Sequence, residues 1–242
     1  MNLQEARDLG AQLADFVHAG ETTQAMALLS PILSQKVKFP MLGEIGVKIG
    51  KGPLGISNAF LSHIAATKAM GGWPIIGMAL NSQMERDLKN TLERCRGFII
   101  EGNVWYCADI LGERVPGPGL LMHFEPVLKV LKSWREDENC WVRRTVGVAT
   151  HFWAKRAKGD PNRLGEAEQL LKLSAPLFDE REIDAVKGIA WGLKTIGKYY
   201  PDLLTDWLAT EIVPAERDHR AIMLRKALTY LTPDQKARVV GK

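Results

Sequence analysis

The amino-acid sequence predicts an all-α protein built of successive antiparallel helices, and three observations carry that expectation. Nearly every long segment repeats its apolar residues at the helical period, alternating strand patterns are scarce, and short breakers punctuate the chain. The 242 residues, 46% hydrophobic and 25% charged, have the balance of a globular chain with a sizeable core, not of a disordered one.

Helices are expected over 2–19, 21–36, 55–70, 81–96, 99–112, 119–134, 140–157, 164–178, 181–199, 201–210 and 215–231. Gly71-Gly72, Gly102-Asn103, Pro116-Gly117-Pro118-Gly119, Gly159-Asp160-Pro161-Asn162 and Thr232-Pro233-Asp234 separate them. Asp160 and Asn162 precede a run with Glu166 and Glu168 in its first turns, and Asp179 precedes the run from Glu180, so both starts carry capping residues. The weakest stretch is 38–58, where five glycines crowd together. It lacks both the GxxxxGK[ST] spacing and GxGxxG, and no strand precedes it, so it reads as turns and not as a phosphate loop. From Gln83 onward, helix pairs recur about every 35–45 residues, the length of HEAT-like repeats, although the repeats do not resemble one another.

Charge and cysteine usage narrow the function classes. A net charge of +4 and a pI near 8.9 permit a nucleic-acid partner without requiring one. Cys95, Cys107 and Cys140 are odd in number and widely spaced, which indicates neither a disulfide framework nor a zinc site. His18, His63, His123 and His219 show no metal-ligand spacing, so no metal and no cofactor are expected. No GxSxG, Ser-His-Asp or Cys-His arrangement is legible. The start of the chain lacks the apolar stretch of a signal peptide, and no run reaches the roughly 18 apolar residues of a membrane span. A cytoplasmic protein, nucleoid-associated in a bacterium, is the expectation.

Unusual residues lying off the core stripes are more informative. At about 100° per residue, 140–157 places Val142, Val146, Ala149 and Trp153 on one narrow face and Arg144, His151 and Lys155 opposite. Along 181–199, Val186, Ile189, Ala190, Leu193 and Ile196 share a broad apolar face, whereas Trp191 falls among Lys187, Lys194 and Lys198. An indole interleaved with basic residues suits a nucleic-acid backbone and its sugars, although a solvated helix face explains the lysines alone. In 103–115, Trp105 and Asp109 flank the stripe of Val104, Cys107, Ala108, Leu111 and Val115, with Gly112 beside them. Taken singly, Trp105 also suits core packing, Asp109 a solvated position and Arg144 a surface ion pair. Their coincidence on three helices favours function, and 139–198 concentrates the positive charge, with 11 Lys and Arg against 7 Asp and Glu.

The run from Arg94 to the C-terminus resembles the AlkD-type alkylpurine DNA glycosylases, a branch of the DNA alkylation-repair proteins built from HEAT-like repeats. Val104-Trp105-Tyr106-Cys107-Ala108-Asp109 is similar to the family's Trp-x-x-x-Asp segment, and Trp141-Val142-Arg143-Arg144 to its Trp-x-x-Arg helix start. Lys187-Gly188-Ile189-Ala190-Trp191, with Tyr200-Pro201-Asp202 after it, resembles its Lys-x-Ile-x-Trp helix and the following break. Val104 stands where a second Trp is common in the family. Residues 1–93 match only in helical character.

The resemblance implies one domain over 1–242, a curved α-solenoid with a basic concave face. Within it, 94–242 form the catalytic repeats. It implies Asp109, Trp105, Trp191 and Arg144 as the active-site set, with Arg143, His151, Lys155, Lys187, Lys194 and Lys198 on the DNA. The expected activity is a monomeric, monofunctional glycosylase that releases cationic N3- or N7-alkylated purines from double-stranded DNA. Neither Lys194 nor Lys198 has the setting expected for Schiff-base lyase chemistry. A non-catalytic paralogue that binds distorted DNA and a protein-binding helical scaffold are the alternatives.

Overall fold

The computed structural model describes residues 1–211 and 219–240, and among them there is no strand. The chain divides into two compact units, Met1–Val115 and Pro116–Lys242. The first contains α1 (Leu3–His18), α2 (Thr22–Leu33), α3 (Phe39–Gly50), α4 (Leu54–Ala66), α5 (Gly72–Gln83), α6 (Leu88–Gly102) and α7 (Trp105–Arg114). The second contains α8 (Pro116–Met122), α9 (Phe124–Trp134), α10 (Cys140–Ala157), α11 (Leu164–Ser174), α12 (Ile183–Tyr199), α13 (Pro201–Glu211), α14 (Arg220–Ala227) and α15 (Pro233–Val240). Short 3₁₀ turns at Pro161–Arg163, Ala175–Asp179 and Leu228–Tyr230 link some of them.

Each unit is a two-layer stack of helix pairs. In the first, α1, α3, α5 and α7 pack in succession as one row, with α2, α4 and α6 as the other. In the second, α8, α10, α12 and α14 form one row and α9, α11, α13 and α15 the other. The all-α repeat organisation is therefore the observed one. Each helix meets mainly its neighbours in the stack, which is the logic of a solenoid.

The glycine-rich stretch is a correction. Residues expected as turns form α3, and its glycines serve packing. A Cβ at Gly46 would run into the Ile75 carbonyl of α5, and one at Gly50 into that of Ala79. The helical propensity lost at these glycines, about 1 kcal/mol each, is offset by the close approach of two helices. Gly71-Gly72 marks the start of α5, a helix absent from the sequence expectation, and α6 begins at Leu88, where the Asp87 side chain accepts from the Asn90 amide.

Two other breakers turn out to be helix starts. Pro116 and Pro118 sit in the first turn of α8, where the missing N–H costs nothing because the helix has no carbonyl to offer it. Thr232 begins a reciprocal cap: its hydroxyl accepts from the Gln235 amide, and the Gln235 side chain accepts from the Thr232 amide. α15 follows from that cap. The first residues of the helix expected over 215–231 lie outside those described.

These contacts make Gly46→Ala informative. Overpacking against the Ile75 backbone is expected to lower unfolding stability by about 1–3 kcal/mol even after the helix-propensity gain. Gly97→Ala in α6, where a Cβ meets open space, is expected to stabilise by about 0.5–1 kcal/mol. Urea unfolding of both variants reads the difference; equal changes would show that α3 and α5 do not approach this closely.

Candidate functional site

In the first unit, Asn103 adopts a left-handed conformation (φ 48°), ending α6 and turning the chain into the extended Val104. From there α7 sends Cys107, Ala108 and Leu111 into the core, each fully buried. Trp105, on the other side, is 54% exposed and meets Tyr106 edge-on at 5.6 Å. A core role for Trp105 is thereby removed. Asp109 lies one turn further along the same helix and is half-buried. This unit offers an open indole face and a carboxylate on neighbouring turns.

In the second unit the site rests on a seam of glycines. A Cβ at Gly147 of α10 would strike the Gly188 backbone of α12, and a Cβ at Gly192 would strike Gly147. With both helix axes drawn together, α10 is covered on two sides, by α8 and by α12. The single narrow stripe expected for 140–157 is therefore incomplete. Arg144 and His151, read as facing away from the core, are each only 7% exposed.

Arg144 lies across Gly188, where any Cβ would meet its side chain, and its Nη1 donates to the Asp184 carbonyl at 2.7 Å. His151 stacks on Trp191 with ring centroids 3.8 Å apart and planes 24° from parallel. The Thr195 hydroxyl donates to the Trp191 carbonyl (3.0 Å), so the same oxygen accepts from His151 Nδ1 (2.7 Å). Burial pushes the His151 pKa down to about 4, with Lys155 acting in the same direction. At neutral pH the imidazole is uncharged, a flat support behind the half-buried indole.

The other face of this arrangement is a cleft of about 340 Å³ lined by Arg144, Lys187, Trp191, Lys194, Ile222 and Lys226. Lys187 pairs with Asp184 at 3.0 Å in an exposed position, which leaves its ammonium facing water. Lys155 and Lys198 are exposed and Lys194 half-exposed. Arg143 is engaged within the protein: its guanidinium grips Glu180 at 2.5 and 3.0 Å and donates to the carbonyls of Asp137 and Glu138. Burial alone would raise the Glu180 carboxyl. The Arg143 bonds and the amides of Glu182 and Arg181 reverse that effect and hold it below the ordinary value.

The structure thus brings Trp105 and Asp109 together on α7, and Arg144, His151, Trp191, Lys187 and Lys194 together across α10 and α12. Sequence reasoning missed Thr195, Ile222 and Lys226. The last two share a face of α14 at a spacing of four, a signal present in the helical period but not followed there. Burial raises the pKa of all three thiols, most strongly at fully buried Cys95 and Cys107, so none is poised as a thiolate. Among the described residues no three His, Cys, Asp or Glu side chains cluster to hold a metal, and no helix is long and apolar enough to cross a membrane.

An all-α repeat stack carrying a tryptophan floor inside a ring of cations is the type of surface that binds a polyanion with flat, stackable groups. The model of the DNA alkylation repair enzyme family matches residues 74–231, more than half of the chain, and the protein belongs to that family. Its fold is that of AlkD2 from Streptococcus mutans, known from a crystal structure: the TM-score is 0.68 at 16% identity, covering 87% of this chain and 99% of that one. No curated protein sequence matches. The family places the chain in DNA alkylation repair.

The buried neutral imidazole has a consequence in acid. The unfolded chain takes up a proton at His151 near pH 6.5 and the folded one only near pH 4, so stability is full above pH 6.5 and falls as the pH drops through that window. His151→Phe, which retains a ring for the stack, is expected to flatten this part of the stability profile. A profile with the parent slope between pH 6.5 and 4 would show that His151 titrates normally.

Proposed function

We propose that the protein is a monofunctional DNA glycosylase that hydrolyses the N-glycosidic bond of cationic N3- and N7-alkylated purines in duplex DNA. The observation that carries this reading is Trp191, backed by an uncharged His151 and framed by Arg144, Lys187, Lys194 and Lys226. Family membership and the Trp105–Asp109 pair on α7 support it.

The chemistry asks little of an acid. Alkylation at N3 or N7 leaves the purine positively charged, so its bond to C1′ is already weakened. Water forms a bond to C1′, the C1′–N9 bond breaks, and its electron pair neutralises the departing base. The developing positive charge on the deoxyribose resembles the oxocarbenium character of other glycosyl transfers. In this proposal Asp109 stabilises that charge and accepts hydrogen bonds from the attacking water, whose proton passes to it or to solvent. The indole face of Trp191 holds sugar C–H groups, whose polarisation grows as charge develops, and Trp105 is a second indole suited to such contacts on the first unit. Arg144 donates to a phosphate, and the exposed lysines supply the remaining backbone attraction. Attack at the sugar requires no deep base pocket, so extrusion of the lesion is not part of the reading.

Asp109→Asn is expected to bind undamaged duplex within about twofold of the parent while excision of 7-methylguanine falls at least tenfold, of the order expected for losing one electrostatic stabiliser. Single-turnover rates on a duplex with one lesion, beside anisotropy titrations, make the comparison. Parent-like excision by the variant would remove Asp109 from the mechanism. Tight duplex binding with no excision by the parent would favour a DNA-binding paralogue.

A further inference from the structure

The cleft around Trp191 continues past the residues that sequence reasoning singled out. On α12 the outer row runs Lys187, Trp191, Lys194, Lys198, at intervals of four, three and four residues, with Lys187 and Lys198 exposed and the other two half-buried. Facing it, α14 and the 3₁₀ turn after it carry Ile222, Lys226 and Tyr230 at intervals of four. Ile222 and Lys226 line the cleft beside Arg144 and Trp191. Tyr230 lies at the far end, 48% exposed, with Lys194 Nζ 5.3 Å from its ring centroid and Lys198 Nζ shared between it (5.6 Å) and the Tyr199 ring (5.3 Å).

The arrangement is unfavourable for its own sake. Two ammonium groups within reach of one ring repel each other, and an exposed cation–π contact offsets little of that repulsion. Among the described residues, Lys194, Lys198 and Lys226 have no carboxylate partner. A cluster of cations beside an exposed phenol, with no carboxylate partner among the described residues, suits an external anion. From Trp191 to Lys198 the helix rises about 10 Å.

We propose that Tyr230, with Lys194, Lys198 and Lys226, forms a second DNA subsite that grips the backbone of one strand beyond the nucleotide held at Trp191. The lysines neutralise successive phosphates, and the exposed face of Tyr230 packs on the sugar between them. Tyr230 is thus a binding residue remote from the reacting bond, setting where the duplex lies along the row that begins at Trp191.

This inference rests on the DNA partner proposed above, and undamaged duplex reads it without relying on catalysis. Tyr230→Ala, Tyr230→Phe and the pair Lys194→Gln, Lys198→Gln are compared with the parent by anisotropy across a salt series, with circular dichroism verifying the fold. The lysine pair is expected to reduce the slope of log K against log salt by about 1.8. Tyr230→Ala is expected to weaken binding about fivefold or more with a smaller change of slope, and Tyr230→Phe to bind as the parent does. Parent-like affinity of Tyr230→Ala, or a parent-like slope in the lysine pair, would overturn the subsite. If those variants fail to differ while the parent still releases a damaged base, the glycosylase stands and only the subsite falls. If the parent binds no duplex, both fall.

Discussion

The close crossing of α10 and α12 at Gly147, Gly188 and Gly192 is the constraint on which the second unit's site depends. Side chains at these positions would push the helices apart. Arg144 would then lose the Asp184 carbonyl, and His151 would lose both Thr195 and the indole it supports. Three residues without side chains thus determine the positions of three with functional ones. The helical propensity given up at each glycine, about 1 kcal/mol, is modest beside the packing enabled by backbone contact. In the proposed reaction this pre-organisation would favour catalysis, because a ring already held in place loses no rotational freedom on meeting the sugar.

Charge is distributed with a similar economy. A surface that holds DNA must be cationic, yet the alkylated base of the proposed substrate is itself a cation. The neutrality of His151 reconciles the two, since a protonated imidazole stacked on Trp191 would withdraw from the indole the electron density that favours contact with a charged sugar. Its low pKa comes from the same burial that holds the stack together. Arg143 illustrates the contrasting case: its charge is consumed by Glu180 and by carbonyls at the start of α10, and it anchors that helix to the segment ahead of α12.

Much of this was legible in the sequence, and the failures have physical causes. Helical periodicity revealed the all-α class, and the isolated positions of Trp105, Asp109 and Trp191 outside their core stripes pointed to the surfaces on which they lie. The stretch 38–58 misled because glycine marks turns when read locally, whereas at Gly46 and Gly50 it marks contact with a helix distant in sequence. Pro116 and Pro233 misled for the complementary reason, since proline both ends helices and begins them. A one-sided reading of α10 failed because a helix inside a row has two neighbours, and only a three-dimensional stack shows both. Nor does periodicity reveal that the opposite face of α10 holds a histidine stacked on a tryptophan 40 residues later in the chain.

As proposed, the protein severs the bond between an alkylated purine and its sugar. The most direct measurement is chemical identification of the product after incubation with duplex DNA carrying a single 7-methylguanine. Free 7-methylguanine in solution and an intact strand bearing one abasic site are expected, with no metal or cofactor added. An unmodified guanine restored within the strand, or a cleaved strand without a released base, would contradict it.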